Sequence, residues 1–232
     1  MLEKLNCPMY KIASFEITDI PLIKRVAETK KPIIISTGLS NLKEISLAYQ
    51  TAKKHGAKDI TLLYCVSSYP APIENFNLNN ILILKKKFKC RVGFSDHSKD
   101  NTIAITAAAL GADVFEKHIA LKNQKKGLDI DFSLKGKELR EYIEAIKKTK
   151  ILLGSSNFIR KKNEIKNIKF RRSLYVAESI KKGEKFTKHN LKSLRPKIGL
   201  DPIYLFQLLG KKTKKNLPYG LPITRKLLKK IS

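Results

Sequence analysis

The 232 residues are 42% hydrophobic, enough for the core of one large domain or of a medium domain plus a small one. The longest apolar runs, such as Pro32-Ile33-Ile34-Ile35, fall far short of the roughly 18 residues a membrane span needs, and the start, Met1-Leu2-Glu3-Lys4-Leu5, lacks the pattern of a secretory signal. The three cysteines, Cys7, Cys65 and Cys90, are too few and too scattered for a disulfide framework or a zinc knuckle, so a reduced, cytoplasmic protein is expected.

The net charge of +28 raises the question of nucleic acid. Residues 1–134 carry 20 Lys and Arg against 13 Asp and Glu, and residues 135–232 carry 28 against 7. This excess is mostly lysine spread over helices and turns, without interleaved arginines and aromatics, and it reads as a lysine-rich surface rather than a nucleic-acid interface.

In chain order, short apolar runs predict buried strands at 10–14, 33–37, 60–66, 91–94 and 113–116. Helices are expected between them: one capped by Asp19, one running from Asn41 to His55, one over 102–110, and a last one over 137–153. Alternating strands and helices imply parallel strands with right-handed crossovers. Each strand ends in polar or ionisable residues: Ser14-Phe15-Glu16, Ser36-Thr37-Gly38, Ser67-Ser68-Tyr69, Ser95-Asp96-His97 and Glu116-Lys117-His118. Reactive groups at successive strand C-termini fit the mouth of a (β/α)₈ barrel better than a doubly wound sheet, which gathers ligands at one switch point. Five strand-helix units are present where a full barrel has eight. Residues 154–169 read as a linker, and 170–232 as a small β-rich domain of short strands and turns.

His97 and His118 end adjacent strands, close enough for both imidazoles to reach one divalent ion such as Mn²⁺, Zn²⁺ or Fe²⁺; the same spacing also suits two ordinary histidines. Lys11 lies inside an apolar strand, and in a closed barrel an inward lysine needs an anion. Ser14, Ser36, Ser67 and Ser95 recur at corresponding strand ends, where hydroxyls and backbone N–H groups can form an anion cradle; any one of them alone is an ordinary loop serine. Glu116 and Asp129 are acidic groups near the mouth that could bind sugar hydroxyls or relay protons. Lys117 is expected on the opposite strand face, in a salt bridge.

Together these segments resemble the sialic acid synthase family, in its pseudaminic acid synthase branch. The ordered motifs are Lys11-Ile12-Ala13-Ser14-Phe15-Glu16, Ile35-Ser36-Thr37-Gly38, Cys65-Val66-Ser67-Ser68-Tyr69-Pro70-Ala71-Pro72, Gly93-Phe94-Ser95-Asp96-His97 and Glu116-Lys117-His118. Arg172-Ser173-Leu174-Tyr175-Val176 and Leu194-Arg195-Pro196 resemble that family's antifreeze-like (SAF) domain. The resemblance implies condensation of phosphoenolpyruvate with an N-acetylated amino-sugar aldehyde, here a 2,4-diacetamido-2,4,6-trideoxy hexose. It implies Mn²⁺ on His97 and His118, phosphoenolpyruvate on Lys11, Ser14, Ser36, Ser67 and Ser95, and Glu116 and Asp129 near the sugar. It also implies a domain-swapped homodimer in which Arg195 reaches the partner's barrel. Neuraminate and legionaminate synthases, or a non-catalytic sugar- or partner-binding remnant, are the alternatives. Two departures are Ser67, where many relatives carry Asn, and Lys197-Ile198-Gly199 after Arg195-Pro196. The family's first three barrel strands are expected on a separate N-terminal fragment or upstream of this start.

Overall fold

A computed structural model describes residues 2–68 and 71–231; Tyr69-Pro70, within one of the motifs above, lies outside them. The chain divides into two compact units, Met1–Ser155 and Ser156–Ser232.

The first unit alternates β1 (Tyr10–Ile12), α1 (Ile20–Ala27), β2 (Ile33–Ser36), α2 (Leu42–Lys54), β3 (Ile60–Cys65), α3 (Asn80–Phe88), β4 (Arg91–Asp96), α4 (Asn101–Ala109) and β5 (Phe115–Lys117). All five strands are parallel and pair in sequence order. An unbroken order of right-handed crossovers places the helices on one face, as in a barrel wall, and gives no reversal of strand order of the kind a doubly wound sheet requires. Two short strands, β6 (Ile119–Ala120) and β7 (Leu134–Lys135), pair in parallel before α5 (Lys137–Leu153).

Local sequence sets the helix starts. Asp19 accepts from Leu22 N at 3.0 Å, and Asn41 makes a reciprocal capping box with Glu44. The α4 cap is Asp100, two residues before the expected helix start, and it accepts from Thr102 N.

Side-chain alternation then divides the sheet. Ile12, Ile33, Ile35, Leu62, Val92 and Phe94 face the helices and pack on Ile23, Ala48, Ile81 and Ala107. Burying one such large apolar side chain contributes about 1.5–3 kcal/mol, so this layer holds the helices to the sheet. The opposite face carries Lys11, Ser36, Cys65, Ser95 and Glu116, the last three in register across β3, β4 and β5. Lys11 on β1 and Glu116 on β5 belong to the two end strands, yet Lys11 Nζ lies 3.6 Å from Glu116 Oε2. Only a sheet curled towards its polar face can bring its ends together in this way.

The second unit opens with a short helix, α6 (Lys162–Ile165), inside the stretch read as a linker; Lys161 N donates to the Glu164 carboxylate there. It continues with the antiparallel pair β8 (Ser173–Val176) and β9 (Leu191–Leu194), then α7 (Leu205–Leu208) and α8 (Arg225–Ile231). Its core is Leu174, Val176, Ile180, Phe186, Leu191 and Ile223. The buried Ser173 hydroxyl donates to Pro196 O and accepts from Ile198 and Gly199 N, which fixes the turn after β9. Among the described residues no helix is long and apolar enough to cross a membrane.

Candidate functional site

The C-terminal ends of β1 to β5 supply two contiguous clusters. In the first, β1 stops at Ile12, and Ser14 opens a 3-10 turn that carries its hydroxyl to 3.1 Å from Ser67 Oγ, just past β3. Gly38 packs directly on this pair: a Cβ there would overlap Ser67 Oγ and lie 2.8 Å from Cys65 Sγ. The Cys65 thiol is held up in pKa chiefly by burial, so it stays protonated among these hydroxyls. Ser36 Oγ is buried with no hydrogen-bond partner, an orphaned donor on the same polar face. Ser95 Oγ donates to Glu116 Oε1 at 2.7 Å, and Lys11 approaches the other oxygen of that carboxylate. One ammonium and four hydroxyls thus line the inner face at the strand ends, a donor set suited to a small polyanion.

The second cluster is built around the histidines. The rings of His97 and His118 lie 5.4 Å apart between centroids. His97 is buried, and desolvation is the main cause that holds its pKa below the ordinary 6.5, leaving the imidazole neutral at pH 7. Its Nδ1 donates to Val66 O at 3.2 Å, because a carbonyl can only accept, and this puts the ring's lone pair on Nε2. His118 Nδ1 faces Asp129 Oδ2 at 3.7 Å, too long for a hydrogen bond. Phe132 meets both rings edge-on, at 6.0 and 5.1 Å.

Among the described residues no group of three or more His, Cys, Asp or Glu side chains converges as a metal site. The fit to a metal therefore rests on two neighbouring imidazoles, that of His97 with its Nδ1 engaged by the Val66 carbonyl. That donor set suits a divalent ion which takes its remaining ligands from substrate and water.

Next to the second cluster is a cavity of about 550 Å³, lined by the apolar Ile73, Phe76, Ile103, Ile130 and Phe132 and by the polar His97, Lys99, Asp100, Asp129 and Asp131. Arg195 is in the second unit, exposed, just after β9 and before Pro196.

Nine of the ten candidate residues lie at or beside these strand ends, and Arg195 is in the second unit; sequence reasoning missed Phe132 and the cavity walls, while Lys117 is in a salt bridge as expected. Lys117 Nζ pairs with Asp96 Oδ1 at 3.8 Å, with both side chains almost fully buried.

A model of the NeuB family matches residues 1–158. The chain belongs to the NeuB family. A SAF domain model matches residues 171–229. The pseudaminic acid synthase of Helicobacter pylori is 41% identical over 225 residues, covering 97% of this chain. The N,N'-diacetyllegionaminic acid synthase of Campylobacter jejuni is also 41% identical, over 219 residues and 93% of this chain. This chain spans 66% of the length of each of these relatives. The crystal structure of N-acetylneuraminic acid synthetase from Leptospira borgpetersenii, in complex with citrate, superposes with a TM-score of 0.67 at 33% identity, over 72% of this chain and 58% of that one. The resemblance carried by the ordered motifs is borne out at the level of family and fold.

Proposed function

We propose that this chain carries the anion-binding, metal-binding and sugar-binding parts of a cytoplasmic nonulosonic acid synthase. In this reading it condenses phosphoenolpyruvate with a 2,4-diacetamido-2,4,6-trideoxy hexose to give pseudaminic acid and phosphate. The observation that carries the reading is the meeting, at one set of strand ends, of the Lys11 and serine cradle with the His97–His118 imidazole pair.

In the proposed reaction C3 of phosphoenolpyruvate bonds to the aldehyde carbon, whose oxygen becomes a hydroxyl. Water adds at C2 and phosphate departs. Lys11 offers its charge to the phosphate or carboxylate in place of Glu116, and Ser14, Ser36, Ser67 and Ser95 donate to the same oxygens. Glu116, released from Lys11, is read as taking a proton near the reacting carbons, and Asp129 as holding a sugar hydroxyl. His97 and His118 would hold Mn²⁺, which supplies Lewis-acid polarisation of the aldehyde carbonyl. Arg195 is read as completing the site of a second subunit in a domain-swapped homodimer. The remaining barrel strands are read as belonging to an N-terminal segment, continuous with this chain or separate from it.

A diacetamido trideoxy sugar, whether for pseudaminate or legionaminate, is favoured over the neuraminate precursor by the cavity beside His97. Its walls of Ile73, Phe76, Ile103 and Phe132 suit the methyl groups of a deoxy, acetamido sugar, which a hydroxyl-rich chain would waste. Sequence identity does not separate the two diacetamido sugars, since the pseudaminic and legionaminic acid synthases match equally well.

Calorimetric titration with phosphoenolpyruvate tests the anion site. Saturable binding is expected, weakened by about tenfold or more in Lys11→Met, since a charge-assisted hydrogen bond contributes about 1.5–3 kcal/mol. Equal binding by the variant would remove Lys11 from the site.

A further inference from the structure

We infer that Lys117 is a positioning residue that sets the spacing of the His97–His118 pair; the metal part of this inference rests on the function proposed above. Lys117 is the last residue of β5, directly before His118. Its side chain, only 5% exposed, crosses to the end of β4 and donates to Asp96 O at 3.1 Å and to Ser98 O. These two carbonyls flank His97 in the chain. One ammonium therefore grips the β4 end on both sides of one imidazole while its own backbone leads into the other.

The grip is reinforced from below. The Asp96 carboxylate faces the ammonium and accepts from Ser98 N at 2.8 Å and Ser98 Oγ at 2.7 Å, which closes the turn around His97. Tyr142 on α5 brings its buried hydroxyl to the same carboxylate without completing a hydrogen bond, so Asp96 leans on Lys117 and Ser98 for its partners. Two strands about 4.8 Å apart leave their end loops free to splay. A buried, fully directed ammonium removes that freedom, and the histidines inherit a fixed separation. A group that orients the metal-holding side chains without touching the metal alters metal affinity by about 10- to 100-fold when it is lost.

The test uses the full chain as wild type, Lys117→Met and the double variant Lys117→Met/Asp96→Asn. The double variant leaves no uncompensated buried carboxylate and guards against simple misfolding of the single one. Two readouts are taken: the nuclear Overhauser effect between the two imidazole rings in metal-free protein, and Mn²⁺ affinity from the paramagnetic resonance signal of free Mn²⁺. The inference expects the ring-to-ring contact to vanish in both variants, with Mn²⁺ affinity at least tenfold weaker, while thermal stability recovers in the double variant. If the double variant regains wild-type ring contact along with its stability, Lys117 is a structural ion-pair partner only and the inference is overturned. If wild type keeps the ring contact but binds no Mn²⁺, the metal reading fails, and loss of the contact in the variants still upholds the positioning role.

Discussion

Gly93 lies mid-β4, where the sheet leaves no room for a side chain. A Cβ on Gly93 would overlap the Val114 carbonyl oxygen and come within 2.5 Å of the buried Leu63 Cδ2. Carbon atoms rest at about 3.5–4.0 Å, so in Gly93→Ala the Leu63 methyl must retreat by about 1 Å or the Val114 peptide must move. Val114 O is also the acceptor for Phe94 N at 2.8 Å, a bond that joins β4 to the chain entering β5. Overpacking of this kind costs about 1–3 kcal/mol. Stripping the buried Phe94 N–H of its partner adds about 1–3 kcal/mol more. Gly93→Ala is therefore expected to destabilise the chain by about 2–6 kcal/mol, a large part of the total stability of a domain. Urea unfolding followed by circular dichroism measures this through the midpoint shift, at about 1–3 kcal/mol per molar of urea. A loss below about 1 kcal/mol would refute the reasoning, because it would show that β4 and the chain before β5 part without cost. Their fixed spacing is also what places the two histidines together.

Asn41→Ala removes the capping box of α2, and urea unfolding should show a loss of about 1 kcal/mol, with Asn41→Asp losing little. Because burial lowers the His97 pKa from 6.5, the unfolded chain binds the proton more readily, so stability from this group is complete above pH 6.5 and declines as pH falls below it. An NMR titration of the His97 ring should give a midpoint below 6.5, and a midpoint above it would contradict the desolvation cause.

Much of the site was legible because a barrel wall imposes a simple rule: polar residues closing successive apolar runs come to one rim. Ser14, Ser36, Ser67, Ser95, His97 and His118 follow from that rule alone. The inward Lys11 was expected to find an anion, and in this structure Glu116 is that anion. Partners set by long-range packing left no comparable trace. Nothing in the sequence ties Lys117 to Asp96 O, or brings Tyr142, forty-six residues along the chain from Asp96, to the same carboxylate. The contact of Phe132 with both imidazoles depends on the turn at Asp129, whose φ of 60° is a backbone choice no periodicity signals. The stretch after α5 read as a linker for its Lys and Asn content, whereas one carboxylate, Glu164, suffices to start a helical turn there.

The central claim is met most directly by phosphate release from phosphoenolpyruvate with Mn²⁺ and the trideoxy diacetamido hexose, using the chain supplied with the N-terminal barrel strands of a relative as a separate polypeptide. The account predicts release that requires both sugar and metal and is abolished by His97→Ala or His118→Ala. Release that persists in either histidine variant, or no release with any diacetamido hexose, would contradict it.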